Sequence, residues 1–165
     1  MKILSKNRLG SRRGNAMVEF ALASVILIPT FVGTFQFGYT FYVYNLLCTQ
    51  VRAGARYAST RTFRCKTSTS ITNFKTAVKH MVMYGDPNPG GSATVMEPGL
   101  TEDQIVVDLK DAGGVSITDN TRVPAYVIVS TNYSVNALVS TVNFTGKPRL
   151  QFPYTGQWAP AETEP

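Results

Sequence analysis

Glu19 is the residue whose type and position most need a chemical reason. It opens an uncharged run of 32 residues, Phe20 to Val51, and lies five residues after Gly14, which comes directly after Arg12 and Arg13. A carboxylate at the bilayer centre costs about 3 kcal/mol on insertion scales, and less near the interface, so the position is tolerable. In the first turn of a helix it favours the dipole by about 0.3–1 kcal/mol. In apolar surroundings it can also pair with a cation far more strongly than it would in water.

Other chemistry-bearing types are sparse. His80 is the only histidine, and a surface or packing role is expected for it. Cys48 and Cys65 are 17 residues apart and have no metal spacing. On one straight helix they would stand about 25 Å apart, too far to bridge, so a disulfide needs a turn between them; free or core thiols are the expectation. Asp108 and Asp111 read as turn and solvent-facing residues, and Tyr154 and Trp158 as aromatics of an edge strand. The sequence contains no Gly-rich phosphate loop, metal-ligand cluster or serine-nucleophile motif. Neither catalysis nor a cofactor or metal is expected.

The elements that would carry Glu19 can be read from charge and hydropathy. The chain has 165 residues and a net charge of +6, and its first thirteen residues hold five cations, Lys2, Lys6, Arg8, Arg12 and Arg13, with no acid. The remainder is close to neutral and shows no basic stripe, so a nucleic-acid partner is not expected. The basic head reads as topogenic, keeping the N-terminus cytoplasmic and exporting the chain beyond the apolar span. From Phe20 to Tyr39 ten residues are Leu, Ile, Val or Phe, favouring insertion by roughly 3–6 kcal/mol. Ser24, Thr30, Thr34, Gln36 and Pro29 erode that figure, and Pro29 is expected to kink the helix. A removable secretory signal fits poorly, because the nearest small-x-small triplet, Ala53-Gly54-Ala55, lies far beyond the apolar core.

Helical character continues past the span. Tyr39, Tyr42, Leu46, Ala53 and Tyr57 recur on one side, and a helix from about Asn15 to about Thr60 would be ~69 Å long, more than any bilayer core. Half of it is therefore expected to project. Ala53, Gly54, Ala55 and Ala58 permit close approach, either within the chain or between subunits. A second helix is expected from Ser70, its N-cap, to a stop at Gly85, with Ile71, Phe74, Val78 and Met81 or Val82 inward. "QIVVDL" and "GVSIT" read as a hairpin, "RVPAYVIVSTNYSV" as the strongest strand, with Val123, Val127, Val129, Thr131, Tyr133 and Val135 on one face, and "RLQFPYTG" as an edge strand marked by Pro153.

The segments "RRGNAMVEFALASVILIP", "FGYTFYVYN" and "VRAGARYAST" together resemble the TadE group of minor pilins, which belong to tight-adherence (Flp-type) pilus systems and are relatives of type IV pilins. The resemblance covers about Arg12 to Thr60. It implies an α+β, pilin-like fold with a basic leader at 1–14, a long hydrophobic helix at 15–60 spanning the membrane at about 20–39, and an exported domain at 61–165 with a short helix and an antiparallel sheet. It also implies that a prepilin peptidase cuts between Gly14 and Asn15. Glu19 is then the fifth mature residue and an assembly contact, with Phe20 beside it at a place often aromatic in the group. Tight-adherence minor pilins often carry a cysteine pair in the exported part, whereas Cys48 falls in the helix. The implied partners are the peptidase, other pilin subunits, the assembly platform and, before assembly, membrane lipid of the bacterial inner membrane. The alternative is an uncleaved, signal-anchored bitopic protein whose exported domain binds a ligand or partner and never polymerises.

Overall fold

The computed structural model describes residues 11–62, 68–118, 123–137 and 139–157, without the side chains of 11–13 and 68–70. The fold is α+β. Helix α1 runs Ser11–Thr60 and continues through Pro29, and helix α2 runs Ser68–Tyr84. Five strands come after them: β1 Ile105–Lys110, β2 Tyr126–Thr131, β3 Tyr133–Asn136, β4 Thr141–Phe144 and β5 Arg149–Pro153. The chain divides into two compact units, Met1–Tyr39 and Thr40–Pro165, and α1 contributes to both.

In the second unit α1 buries Val43, Leu47, Val51, Ala55 and Ala58 completely. These recur every three or four residues, so they form one stripe. Each fully buried Val or Leu contributes about 1.5–3 kcal/mol relative to exposure. Tyr39 and Tyr42 are exposed, and Leu46, Ala53 and Tyr57 are only half-buried, so the side on which these residues recur is not the covered one. The physical reason is reach: at Gly54 the backbone of α1 comes so close to α2 that a Cβ would sit 2.3 Å from Val82 Cγ2 and 3.4 Å from the Val78 carbonyl oxygen. Tyrosines do not fit such a crossing. Gly54, Ala55 and Ala58 thus serve an intrachain contact, whereas Ala53 is only half-buried.

Helix α2 answers with Ile71, Phe74, Ala77, Val78, Val82 and Met83. It begins before Ser70, which lies inside it, because "TSTS" offers four equivalent capping types and the sequence alone does not choose between them. Gly85 ends it with φ +72°, its N–H donating to the Met81 carbonyl at 3.1 Å.

The sheet differs from the single one expected. β1, β2 and β5 form a three-stranded antiparallel sheet in the order β1-β2-β5, and β3 and β4 pair separately. The long strand candidate breaks at Asn132, whose N–H donates to the Gln104 carbonyl at 2.7 Å and whose Oδ1 accepts from Gly146 N at 2.6 Å. Its inward set holds from Val127 to Val135, whereas Val123 is exposed. "GVSIT" contributes an isolated bridge, Lys110 to Ser116, and a bond from Ile117 N to the Leu109 carbonyl. β5 is the edge strand expected, pairing Phe152 with Val127 and Leu150 with Val129. β4, unforeseen, sets Phe144 against Tyr44 of α1 with ring centroids 5.1 Å apart.

The last turn of α1 is satisfied from afar. The Ser59 carbonyl accepts from Thr155 N at 2.8 Å and Gly156 N at 3.0 Å, and the Arg61 carbonyl accepts from the Tyr154 hydroxyl at 2.7 Å. These are the carbonyls a helix end leaves without partners.

Two substitutions in α1 have expected effects on stability. Helix propensity favours Ala over Gly by about 1 kcal/mol, yet Gly54→Ala is expected to lower the melting temperature because of Val82, and adding Val82→Ala to recover it. The Gln50 side chain is buried, and among the described residues neither Oε1 nor Nε2 has a hydrogen-bond partner. Removing an unpartnered buried amide relieves about 1–3 kcal/mol, so Gln50→Leu is expected to raise the melting temperature by a few degrees in detergent-solubilised protein.

Candidate assembly surface

Gly14, Asn15, Glu19 and Phe20 all lie in α1 and are exposed. A Cβ built on Gly14 meets nothing within 4 Å, so the glycine is not required there by packing in this chain. At about 1.5 Å rise per residue, Asn15 and Glu19 are about 6 Å apart along the axis, one turn, and lie on the same side of the helix. Among the described residues Glu19 has no ion-pair partner. Its possible cations within the chain are those of the basic head, of which residues 1–10 lie outside the described residues.

Apolar side chains continue the surface from that point. Phe20, Val25, Ile26, Phe31 and Phe37 are each at least 70% exposed, and Leu22, Leu27, Ile28 and Phe35 exceed 60%. They surround the helix rather than line one stripe, which is the pattern of a segment whose solvent is apolar on all sides. Monomeric soluble proteins rarely leave so much contiguous apolar area uncovered. α1 is the one candidate membrane span among the described residues, by length and composition.

The polar residues that reduce the insertion energy on a simple residue scale satisfy themselves locally. Ser24 Oγ donates to the Phe20 carbonyl at 2.8 Å, Thr30 Oγ1 to the Ile26 carbonyl at 2.8 Å, and Thr34 Oγ1 to the Thr30 carbonyl at 2.9 Å. A hydroxyl bonded back one turn has its donor satisfied within the helix, so its burial in hydrocarbon is less costly than the free side chain implies.

The other candidate residues hold no chemistry of this kind. His80 Nε2 is 2.9 Å from Glu102 Oε1, and its ring meets Tyr84 edge-on at 5.9 Å. Asp108 lies in β1 rather than in the turn expected, its Oδ2 accepting from Ser116 Oγ at 3.0 Å, whereas Asp111 is a turn residue whose Oδ1 accepts from Val115 N at 2.9 Å. Tyr154 is half-buried and bonded to the helix end, whereas Trp158 lies outside the described residues. Cys48 is a free thiol, and Cys65 lies outside the described residues. No group of three His, Cys, Asp or Glu able to hold a metal occurs among the described residues. Nothing in the sequence singled out Glu97, a buried carboxylate whose Oε1 lies 3.2 Å from the Tyr133 hydroxyl; that hydroxyl also lies 2.8 Å from the Pro98 carbonyl oxygen.

A lysine in mid-span costs about 2.5–3.5 kcal/mol, most of what the apolar residues contribute. Ile28→Lys is therefore expected to shift a large share of the protein from the alkali-resistant membrane pellet to the soluble fraction.

Comparison with known proteins bears on this same stretch. No curated protein and no solved structure matches the chain. The family model described as TadE-like protein matches residues 14–56, which begins at Gly14, includes Asn15, Glu19 and Phe20, and ends within α1. The chain thus carries a TadE-like N-terminal segment, the pilus-associated type its sequence resembles, on the helix that is long and apolar enough to anchor it in a membrane.

Proposed function

We propose that this protein is a minor pilin of a tight-adherence pilus, held in the bacterial inner membrane with its N-terminus cytoplasmic until a prepilin peptidase cuts between Gly14 and Asn15. The observation that carries the reading is the uncovered apolar length of α1 with a carboxylate near its start that has no ion-pair partner among the described residues, in a segment that matches the TadE-like family. The cut removes the five cations that set topology and leaves one ammonium on Asn15. A glycine before the scissile bond suits a membrane protease, because a residue without Cβ lets the backbone come close and take unusual angles.

In a staggered array of parallel helices, Glu19 of one subunit meets the Asn15 ammonium of another where no water screens them. An isolated charge in hydrocarbon is costly and a pair is much less so, so the contact selects one register among many. Apolar side chains then pack helix on helix, since within lipid close contact must replace the usual gain from leaving water. The mature chain, 15–165, has 151 residues, far more than a short major Flp pilin, which favours a minor or initiating subunit over the bulk of the filament.

Glu19→Ala is expected to leave cleavage and insertion intact while abolishing incorporation into pili. Intact-mass measurement of the membrane-extracted protein reads the first, with a mature terminus at Asn15; immunodetection in sheared pili reads the second. Retention of residues 1–14, or wild-type incorporation of the variant, would overturn the reading.

A further inference from the structure

The near-neutral sum of the chain beyond its basic head conceals a strong segregation. Residues 20–85 contain seven Lys or Arg and no Asp or Glu, whereas residues 86–165 contain nine Asp or Glu and four Lys or Arg. The helices and the segment between them are thus cationic and the strand-bearing part anionic, an asymmetry that suits a partner of complementary charge.

The cationic side has a defined focus. Arg52 and Arg56 are both exposed on α1, one turn apart, and among the described residues neither guanidinium has an ion-pair partner. At about 100° per residue they fall on the side of the helix away from the buried stripe of Val43, Leu47, Val51 and Ala58. Like charges so placed repel each other, so the fold gains nothing from them in isolation.

The anionic side has a focus of its own in the 3-10 turn Glu102–Gln104, whose Glu102 and Asp103 are exposed, with His80 Nε2 2.9 Å from Glu102 Oε1 on its α2 side. The turn is held rigidly: Thr101 N–H donates to Gln104 Oε1 and Gln104 N–H to the Thr101 carbonyl, both at 3.1 Å. A hydrogen bond from the Thr101 side chain, then one from the backbone, and the nearby Lys79 charge hold the Asp103 carboxyl below the usual carboxylate range, so it stays ionised. This turn packs on α2. Among the described residues neither Arg52 nor Arg56 forms an ion pair with Glu102 or Asp103.

We propose that the Arg52–Arg56 face of one copy docks on the Glu102–Asp103 turn of a second copy. The contact joins two different surfaces, so it adds copies head to tail rather than pairing them about a two-fold axis. It rests on the filament reading above and adds to it a register contact outside the membrane. Exposed charge pairs of this kind steer and orient more than they bind, and salt weakens them.

The test uses two differently tagged full-length copies in the same membranes, solubilised in mild detergent and co-purified at low salt and at about 0.5 M salt, where screening is strong. Wild-type copies are expected to co-purify at low salt and to separate at high salt. R52E/R56E copies alone, and E102K/D103K copies alone, are expected to lose roughly tenfold of that recovery, about 1.4 kcal/mol. One copy of each kind is expected to restore it, which a misfolded variant could not do. Wild-type recovery by either variant alone, no recovery by the mixed pair, or no low-salt co-purification of wild-type copies overturns the proposal; failure of the mixed pair assigns the arginines to a different partner, such as anionic lipid. Intact mass read on the same samples keeps the two questions apart, since a terminus at Asn15 upholds processing even where the docking contact fails.

Discussion

The approach of α1 to α2 at Gly54 is the contact on which the second unit depends. A helix carrying aromatic residues on several sides can bury only one of them, and the missing side chain at Gly54 decides which. Val78 and Val82 close over the gap, Val43 to Ala58 become the covered stripe, and α2 in turn presents its other flank to β1. The tyrosines are left at the surface because the crossing that glycine permits is too tight for them.

The same helix serves two solvents. From Phe20 to Phe37 it is apolar around its whole circumference and turns its hydroxyls back on its own carbonyls, whereas from Val43 onward it is apolar on one stripe and polar on the rest. The change of pattern, rather than any break in backbone, marks where lipid or neighbouring helices give way to water and a packed domain. The boundary between the two compact units, after Tyr39, falls at that change.

Much of this was legible from residues alone. The length of α1, the stop of α2 at Gly85 and the edge strand with Leu150 and Phe152 inward each rest on a local rule: an uncharged run, a glycine with positive φ, an alternation of period two. What escaped depended on contacts distant in sequence. The buried side of α1 could not be chosen from spacing, because two overlapping sets of residues fit a helical repeat and only α2 decides between them. The long strand is interrupted at Asn132 because its amide and side chain bond to Gln104 and Gly146. β4 is short, with Thr and Asn among its four residues, and exists through its pairing with β3. At the N-terminus, Gly14, Asn15 and Glu19 were conspicuous by their spacing after the basic head and before the uncharged run, and among the described residues Glu19 has no ion-pair partner.

The bonds from Thr155 and Gly156 to the Ser59 carbonyl, and from Tyr154 to that of Arg61, join the end of β5 directly to the end of α1. The C-terminal end of the helix therefore has a direct connection to the sheet that does not pass through α2. With a Cβ on Gly156 blocked at 2.3 Å by the Arg61 carbonyl, the clasp admits no bulkier residue there. Groups 93 residues apart in sequence, the Tyr154 hydroxyl and the Arg61 carbonyl, are thus held in one clasp, so a change at the end of β5 is felt at the end of α1.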